Sequence, residues 1–311
     1  MSDESAITMK QIVPFTAALI SGLALCAAVV SPTPAAAAPK KVLVVSTCEG
    51  FRHSCIPLGN QILGLLGLQS GAFVVDVVDV NPNDPQFLGA DGKLDRAKFH
   101  EANTKALAAK MNPESLKTYD ALIFNCTTGE LPGFTEEGLL AWIASGKGFV
   151  GIHAATDTFH GKGTNVGPYI QMIGGEFKTH GPQVQVDVIN QDPNHAACKH
   201  LPGTFTIFDE IYQFKNFERP KIHGQLTMDK HPNDKTPGDY PVAWCKQFGE
   251  GRVFYTSLGH REDVWDPVWK EKNGQRKDSP QIAQDFQKHL LGGILWSLGL
   301  EAGDAKPQVV P

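Results

Sequence analysis

Cysteines are few in this sequence, and their spacing is irregular. Six occur in 311 residues, and no two of them form a C-x-x-C pair. Five follow the first forty residues: Cys48, Cys55, Cys126, Cys198 and Cys245. An odd number without regular spacing is not typical of a disulfide framework, and a cysteine-ligated zinc site is not expected. Cys48 and Cys55 could pair in an oxidising compartment, and the sequence leaves that disulfide open.

The signatures of several common functional classes are also absent. The formal net charge is −5, so we expect no basic surface for nucleic acid. No G-x-S-x-G segment occurs, which argues against a serine nucleophile at a strand-to-helix elbow. The loop after the first predicted strand, residues 48–54, holds one glycine, Gly50, so it does not form a glycine-rich phosphate loop.

An apolar stretch near the amino terminus, Ile12–Val30, follows Lys10 and precedes an alanine-rich segment that ends at Ala38. This arrangement predicts a signal peptide over residues 1–38 and one large domain over residues 39–311. The apolar run is barely long enough to cross a bilayer and is broken by proline and glycine, so cleavage is favoured over a retained anchor. We therefore expect a periplasmic or secreted protein that has no membrane segment in its mature form.

The first half of the mature chain alternates short apolar runs with helical patterns. The predicted strands are Val42–Ser46, Phe73–Val80, Ala121–Cys126 and Phe149–Ile152. The predicted helices cover residues 57–68, 93–118 and 135–144. The second half is richer in strands, which include 184–189, 241–248 and 252–258, and it ends in a helix over 281–298. The pattern predicts an α/β fold with a doubly wound, mainly parallel sheet and extra β-strands in the second half.

The stretch from Gly148 to Asp157 contains the first candidate for a functional side chain. The apolar strand Phe149–Ile152 ends at His153, and Thr156 with its neighbours favours a tight turn and the start of a helix. A strand that runs into a sharp turn raises one side chain above the carboxyl edge of a sheet, where α/β proteins bind ligands. Here that side chain is an imidazole.

Three more histidines lie at predicted junctions between strands and loops, namely His53, His180 and His260. Asp157 and Glu210 supply carboxylates nearby. Imidazole transfers protons near neutral pH and is also the commonest metal ligand in proteins. The four histidines are therefore predicted to meet at one edge of the sheet, where they would bind a divalent metal ion or divide acid and base roles. We assign structural roles to the histidines at 195, 200, 223, 231 and 289.

Two tryptophans, Trp265 and Trp269, lie in a predicted loop over residues 262–280. A flat aromatic face could stack on the apolar side of a sugar ring, although a loop tryptophan more often packs against the protein. The sequence leaves both roles open.

Five blocks of this chain, in order, resemble the ThuA-like (trehalose utilisation) family: Gly148–His153, Gly174–Pro182, Asp209–Tyr212, Pro241–Trp244 and Gly251–His260. The resemblance runs from Lys41 to Leu300. It implies the class I glutamine amidotransferase-like fold, a flavodoxin-like core with extra strands. Amidotransferases of that fold carry a cysteine nucleophile at the elbow, where this chain has His153, so we do not expect glutamine amidotransfer. The position of His260 resembles that of the histidine that follows a late strand in those amidotransferases.

The resemblance further implies a role in carbohydrate catabolism, including that of 3-keto sugars. We expect an exported lyase or hydrolase that acts by acid–base catalysis on a small carbohydrate, a disaccharide or a 3-keto-glycoside. The expected catalytic residues are His153, His260, Asp157 and Glu210. The expected substrate contacts are His53, His180 and Trp265. A divalent metal ion, if bound, would be held by His53, His153, His180 and His260. The alternative is a non-catalytic carbohydrate-binding or accessory protein that keeps the cleft of the fold.

Overall fold

The computed structural model of the chain describes residues 38–160 and 165–308. Nearly all of the predicted signal peptide, residues 1–37, therefore lies outside the described residues. Within these two ranges, no helix is both long enough and apolar enough to cross a membrane.

Thirteen strands and seven α-helices lie within the described ranges. The strands are β1 (Lys40–Val45), β2 (Phe73–Val78), β3 (Ala121–Asn125), β4 (Thr128–Gly129), β5 (Gly148–Ile152), β6 (Asp157–Thr158), β7 (Glu176–His180), β8 (Val184–Asn190), β9 (Thr204–Asp209), β10 (Tyr212–Lys215), β11 (His223–Lys230), β12 (Pro237–Phe248) and β13 (Gly251–Thr256). The helices are α1 (Ile56–Ser70), α2 (Arg96–Met111), α3 (Pro113–Leu116), α4 (Glu136–Ala144), α5 (Pro168–Ile173), α6 (Glu262–Trp265) and α7 (Pro280–Ser297).

One half of the large central sheet is parallel and has the order β2-β1-β3-β5-β13. Strand β5 lies inside it, where Phe149 pairs with Leu122 on one side and with Val253 on the other. Counted along the chain, this order is 2-1-3-4-5, which is the order of flavodoxin-like folds. The predicted flavodoxin-like α/β fold is therefore confirmed.

The other half of the sheet is antiparallel and continues from β13 through β12, β11 and β8 to β9. These are the extra strands that the second half of the sequence predicts. Strand direction reverses four times between β13 and β9, so the two strands run the same way. The carboxyl end of β9 thus faces the same edge of the sheet as the carboxyl ends of β1, β5 and β13.

Helices cover both faces of the parallel half. Alternate residues of β5 point to opposite faces, so that Val150 and Ile152 pack with α1 and α7, whereas Phe149 packs with α2 to α5. All three side chains are fully buried. Burial on both faces is the reason that the parallel strands read as unbroken apolar runs in the sequence.

Three local predictions were wrong. The helix expected over residues 93–118 is divided between α2 and α3, because Pro113 lacks an amide hydrogen and begins a new helix. No helix begins at Asp157: residues His153–Thr156 form a 3₁₀ turn, and Asp157 then pairs with Thr128 of β4. His180 was expected in a loop, but it is the last residue of β7 and pairs with Tyr212 of β10.

Candidate functional site

The side chain of His153 lies at the sharp turn that follows β5. Its φ is +49°, a backbone region that residues other than glycine seldom adopt, and the hydroxyl of Tyr255 donates to its carbonyl oxygen at 2.7 Å. The imidazole is fully buried. Its Nδ1 lies 2.7 Å from the carbonyl oxygen of Ser257 and donates to it, so a neutral ring carries its proton on Nδ1 and its lone pair on Nε2.

Two more imidazoles surround that of His153 because their strands end at the same edge of the sheet. His53 follows β1, and His260 follows β13. The ring centroids are 4.8 Å apart for His53 and His153, 5.3 Å for His53 and His260, and 5.3 Å for His153 and His260. The structure thus brings together three of the four histidines that the sequence singled out.

The carboxylate of Glu210 completes this group. Its Oε2 lies 3.5 Å from Nε2 of His153, and its Oε1 lies 3.6 Å from Nε2 of His260. The preceding residue, Asp209, accepts a 2.7 Å hydrogen bond from the amide of Gly259, which ties the end of β9 to the end of β13. One ligand atom from each of His53, His153, Glu210 and His260 lies within 4.8 Å of all the others. We call these four residues the imidazole–carboxylate cluster.

Two nitrogens of the cluster are buried without a partner. Within the described ranges, Nδ1 of His53 and Nε2 of His153 have no hydrogen-bond partner. Leaving a buried polar atom unpaired costs about 1–3 kcal/mol, so a water molecule, an ion or a substrate group that paired with these two nitrogens would stabilise the protein.

Burial keeps two of the imidazoles uncharged. Loss of solvent, helped by the neighbouring imidazoles, lowers the pKa of His53 to about 2. Burial and His153 also lower the pKa of His260 to about 4, although Glu210 opposes the shift. Burial alone would raise the pKa of Glu210, but the surrounding imidazoles outweigh it and lower that pKa. At neutral pH His53 and His260 are therefore neutral imidazoles and Glu210 is a carboxylate, which are the forms that bind metal ions. Burial alone would lower the pKa of His153, but the contact with Glu210 and other neighbouring acidic groups outweigh burial and raise that pKa.

The hydrogen bonds of His260 favour a different role from that of His153. Arg261 Nη1 donates to Oε1 of Gln183 at 2.9 Å, which orients the amide of Gln183. The Nε2 atom of Gln183 then donates to Nδ1 of His260 at 3.0 Å. A neutral His260 consequently carries its proton on Nε2, the nitrogen nearest Glu210. This assignment rests on the hydrogen-bond network.

His180 and Asp157 lie beside the cluster and outside it. His180 Nδ1 is 3.1 Å from Oε1 of Glu210, but its side chain is 42% exposed and is not one of the four converging groups. Asp157 was expected among the catalytic residues, next to the imidazoles. Its carboxylate instead contacts His160, with Oδ1 2.6 Å from Nε2 of that ring, and Glu210 takes the position next to His153 and His260.

His160 is a site-adjacent residue that the sequence analysis missed. Its imidazole bridges two carboxylates: Nε2 faces Asp157 at 2.6 Å, and Nδ1 faces Glu176 at 2.7 Å. These two contacts raise the pKa of His160 to about 9, with Asp157 the larger cause. Lys215 adds an ion pair to Glu176 at 3.0 Å. The spacing of three residues from Asp157 was the only sequence signal for this pair.

A cleft of about 260 Å³ opens onto the cluster. It is lined by Phe51, His53, Asp157, Phe177, His180, Glu210, Tyr212 and His260. Two larger grooves, of about 410 and 470 Å³, lie elsewhere, and none of the cluster residues lines either one. The small cleft is therefore the candidate site, because chemistry and shape coincide there.

The expectation that Trp265 contacts a substrate is wrong. Its side chain is fully buried. The indole Nε1 donates to the carbonyl oxygen of Gly259 at 2.8 Å, and the ring packs edge-on against Phe286, with centroids 5.1 Å apart. A face enclosed in this way cannot stack on a sugar, so Trp265 supports the residues before His260.

The suggested disulfide between Cys48 and Cys55 is not formed, since both cysteines are free and buried. The sulfur of Cys55 instead faces that of Cys126 at 3.8 Å. Cys126 follows β3, and its amide donates to the carbonyl oxygen of Ile152 at 3.1 Å, so it lies beside the His153 turn. Its side chain is fully buried, and a thiol without access to the cleft does not serve as a nucleophile.

Comparisons with known proteins agree with this fold. The ThuA family, described as trehalose utilisation, matches residues 41–297. A ThuA-like protein from Parabacteroides merdae has a similar structure, with a TM-score of 0.58 and 18% identity over 88% of this chain and 93% of its own. A ThuA-like protein from Bacteroides uniformis has a TM-score of 0.56 and 20% identity, over 86% of this chain and 95% of its own. No curated protein sequence matches the chain.

Proposed function

The chain belongs to the ThuA family, and from that premise we propose that it is an exported, metal-assisted enzyme that acts on a small carbohydrate. The reaction would be the acid–base cleavage of a disaccharide or a 3-keto-glycoside, as a lyase or hydrolase. Family membership supports the carbohydrate-related role. The reaction itself is our inference from the cleft.

The observation that carries the proposal is the pair of unpartnered nitrogens in the imidazole–carboxylate cluster. Among the described residues, His53 Nδ1 and His153 Nε2 are buried with no hydrogen-bond partner. A protein that used these rings only for packing would leave that cost uncompensated. A cation bound by the cluster would compensate it.

The donor set fits a zinc-like ion. Imidazole nitrogens and a carboxylate oxygen are the usual ligands of catalytic zinc, which binds them at about 2.0–2.2 Å. Ligand atoms around a tetrahedral ion are then about 3.4 Å apart, whereas the cluster atoms lie within 4.8 Å. Small side-chain movements would close that difference. The hydrogen bond from His153 Nδ1 to Ser257 is the kind of support that orients a metal-ligating histidine.

We assign different roles to the residues around the cleft. His53, His153 and Glu210 would hold the ion, which when bound would polarise a substrate carbonyl as a Lewis acid. His260 carries its proton on Nε2 and donates a hydrogen bond from it to the departing oxygen. Asp157 lines the same cleft and accepts a proton from the substrate.

A 3-keto-glycoside suits this division of roles. The carbonyl acidifies the hydrogen on the neighbouring carbon, so that a carboxylate can remove it. The electron pair of that C–H bond forms a carbon–carbon double bond, and the glycosidic oxygen leaves with the electron pair of its bond to carbon, hydrogen-bonded to His260, and takes a proton from water. A 3-keto group therefore makes β-elimination accessible to carboxylate and imidazole side chains without a covalent nucleophile.

The test combines product analysis with metal analysis. Purified protein, loaded with zinc and freed of excess metal, is incubated with trehalose and with 3-keto-trehalose, and products are followed by NMR. We expect turnover of the keto sugar, loss of both metal and turnover in His153→Ala, and loss of turnover with retained metal in His260→Ala. His200→Gln, which alters a histidine outside the cluster, is the matched control.

Three results would count against the proposal. If the protein takes up no divalent metal, or if it keeps full activity in the presence of a chelator, the metal-assisted part of the proposal is wrong. Sugar binding without any product would favour the alternative, a non-catalytic carbohydrate-binding protein.

Export is part of the same proposal. Residues 1–38 have the charge, apolar run and alanine-rich end of a signal peptide. We propose that the mature domain, residues 39–311, is periplasmic or secreted. Amino-terminal sequencing of protein from the native host should give a start near Ala38, and an intact Met1 or Met9 on cytoplasmic protein would contradict export.

A further inference from the structure

We propose that the ring of Phe51 is a stacking platform for the second sugar ring of a disaccharide, at the rim of the cleft. This inference rests on the proposed function and adds a subsite to it. The first ring would occupy the cleft above the imidazole–carboxylate cluster, and the ring joined to it would lie across Phe51.

Phe51 combines exposure with a position at the site. Its side chain is 69% exposed and lines the cleft. Its ring meets that of His53 edge-on, with centroids 4.9 Å apart. Isolated exposed apolar residues are common and need no explanation. Leu68 and Val268, each 77% exposed, are examples that do not line the cleft.

The backbone under Phe51 is held in place although its ring is exposed. The hydroxyl of Thr128 donates to the carbonyl oxygen of Phe51 at 2.8 Å, and the amide of Glu49 donates to the carbonyl oxygen of Thr128 at 2.9 Å. A Cβ atom at Gly50 would lie 2.9 Å from the hydroxyl oxygen of Thr128, so the close approach of the two segments needs glycine there. The loop thus presents a large apolar ring on a fixed support, which lowers the entropic cost of binding.

The size of the cleft supports a binding role for the ring of Phe51. Its volume of about 260 Å³ lies below the roughly 300–1,000 Å³ of typical ligand pockets. One sugar ring fits such a space, whereas a disaccharide extends past the rim. Phe51 lines the cleft and is exposed, so its ring is available to a second sugar ring. The C–H face of a pyranose is apolar, and an aromatic face is a matching partner for it.

The test compares a sugar of two rings with a sugar of one ring. Dissociation constants of zinc-loaded protein for trehalose and for methyl α-glucoside are measured by NMR titration. Aromatic stacking contributes about 0.5–1.5 kcal/mol, which corresponds to a roughly two- to tenfold change in affinity. We expect Phe51→Ala to weaken trehalose binding by that factor and to change methyl α-glucoside binding less than about twofold.

Control variants separate stacking from general damage. Phe51→Trp should retain trehalose affinity, because it keeps an aromatic face. Leu68→Ala removes an equally exposed side chain outside the cleft and should change neither constant. Zinc content should be the same in all four proteins.

Each other outcome is decisive. If Phe51→Ala binds trehalose like the unaltered protein, the subsite is refuted while the proposed function stands. If Phe51→Ala weakens both sugars equally, Phe51 does not belong to a second subsite, and the inference also fails. If the unaltered protein binds neither sugar, the carbohydrate assignment fails together with the subsite.

Discussion

Replacing Trp265 by phenylalanine tests whether this residue supports the fold or contacts a sugar. The indole is fully buried, and its Nε1 donates to the carbonyl oxygen of Gly259, which is also buried. Phenylalanine keeps an aromatic ring but leaves that carbonyl unpaired, at a cost of about 1–3 kcal/mol. The smaller ring gives up roughly 1 kcal/mol of apolar burial. We therefore expect Trp265→Phe to lower the free energy of unfolding by about 2–4 kcal/mol.

A loss of this size is readily measured. At about 2–4 °C per kcal/mol for a domain of this size, the midpoint of thermal unfolding should fall by about 4–16 °C. Urea unfolding, followed by circular dichroism, gives the free energy directly. Trp269→Phe is the matched control, because Trp269 is only partly buried and lies in the same loop. Trp269→Phe should lower the free energy of unfolding by less than about 1 kcal/mol.

The opposite result would refute the reasoning. If Trp265→Phe unfolds like the unaltered protein but binds trehalose more weakly, then the indole contacts the sugar, and the packing described for it is incorrect. Zinc content should stay the same, since the turn that loses one hydrogen bond carries His260, which is not among the three proposed metal ligands.

Two further predictions concern buried groups away from the cleft. Burial lowers the pKa of His289 to about 3, so the stability that depends on its neutral form is complete above about pH 6.5 and is lost as the pH falls toward 3. Glutamine at this position has no such proton to bind and can still donate to the carbonyl oxygen of Ala197. We therefore expect His289→Gln to unfold at a lower pH than the unaltered protein, and an unchanged midpoint of acid unfolding would contradict this. The thiols of Cys48, Cys55, Cys126, Cys198 and Cys245 are buried, and burial raises the pKa of Cys48 to about 12. Iodoacetamide should therefore label none of the five in the folded protein and all of them after denaturation, as counted by mass spectrometry, whereas a disulfide or rapid native labelling would count against the structure.

The parallel half of the sheet was predictable because burial on both faces leaves a direct trace in sequence. Strands such as β1 and β5 are unbroken apolar runs, and each is joined to the next by a helical pattern. The break between α2 and α3 was not predicted, since the polar pattern continues across Pro113. The turn after His153 resembles a helix start locally, but the pairing of Asp157 with Thr128 overrides that preference.

The site was partly predictable for the same reason. His53, His153 and His260 each follow a strand of the parallel half, so strand direction alone places them at one edge. The burial of an aromatic side chain in a loop, in contrast, produces no recognisable sequence pattern. Trp265 lies in a polar segment, and only the packing of α7 shows that Phe286 covers it. His160 also escaped notice, because its partner Glu176 lies beyond a loop whose path the sequence does not reveal.

The position of β13 has a consequence for the order in which this protein matures. It is the last of the described strands along the chain, yet it is inserted in the interior of the sheet between β5 and β12, and His260 follows it. Sheets with such long-range pairings form slowly, because distant segments must meet before any contact stabilises them. A truncated or partly folded chain would lack the last imidazole of the cluster. Turnover would consequently appear only in completely folded molecules, and activity measured during refolding would follow completion of the central sheet.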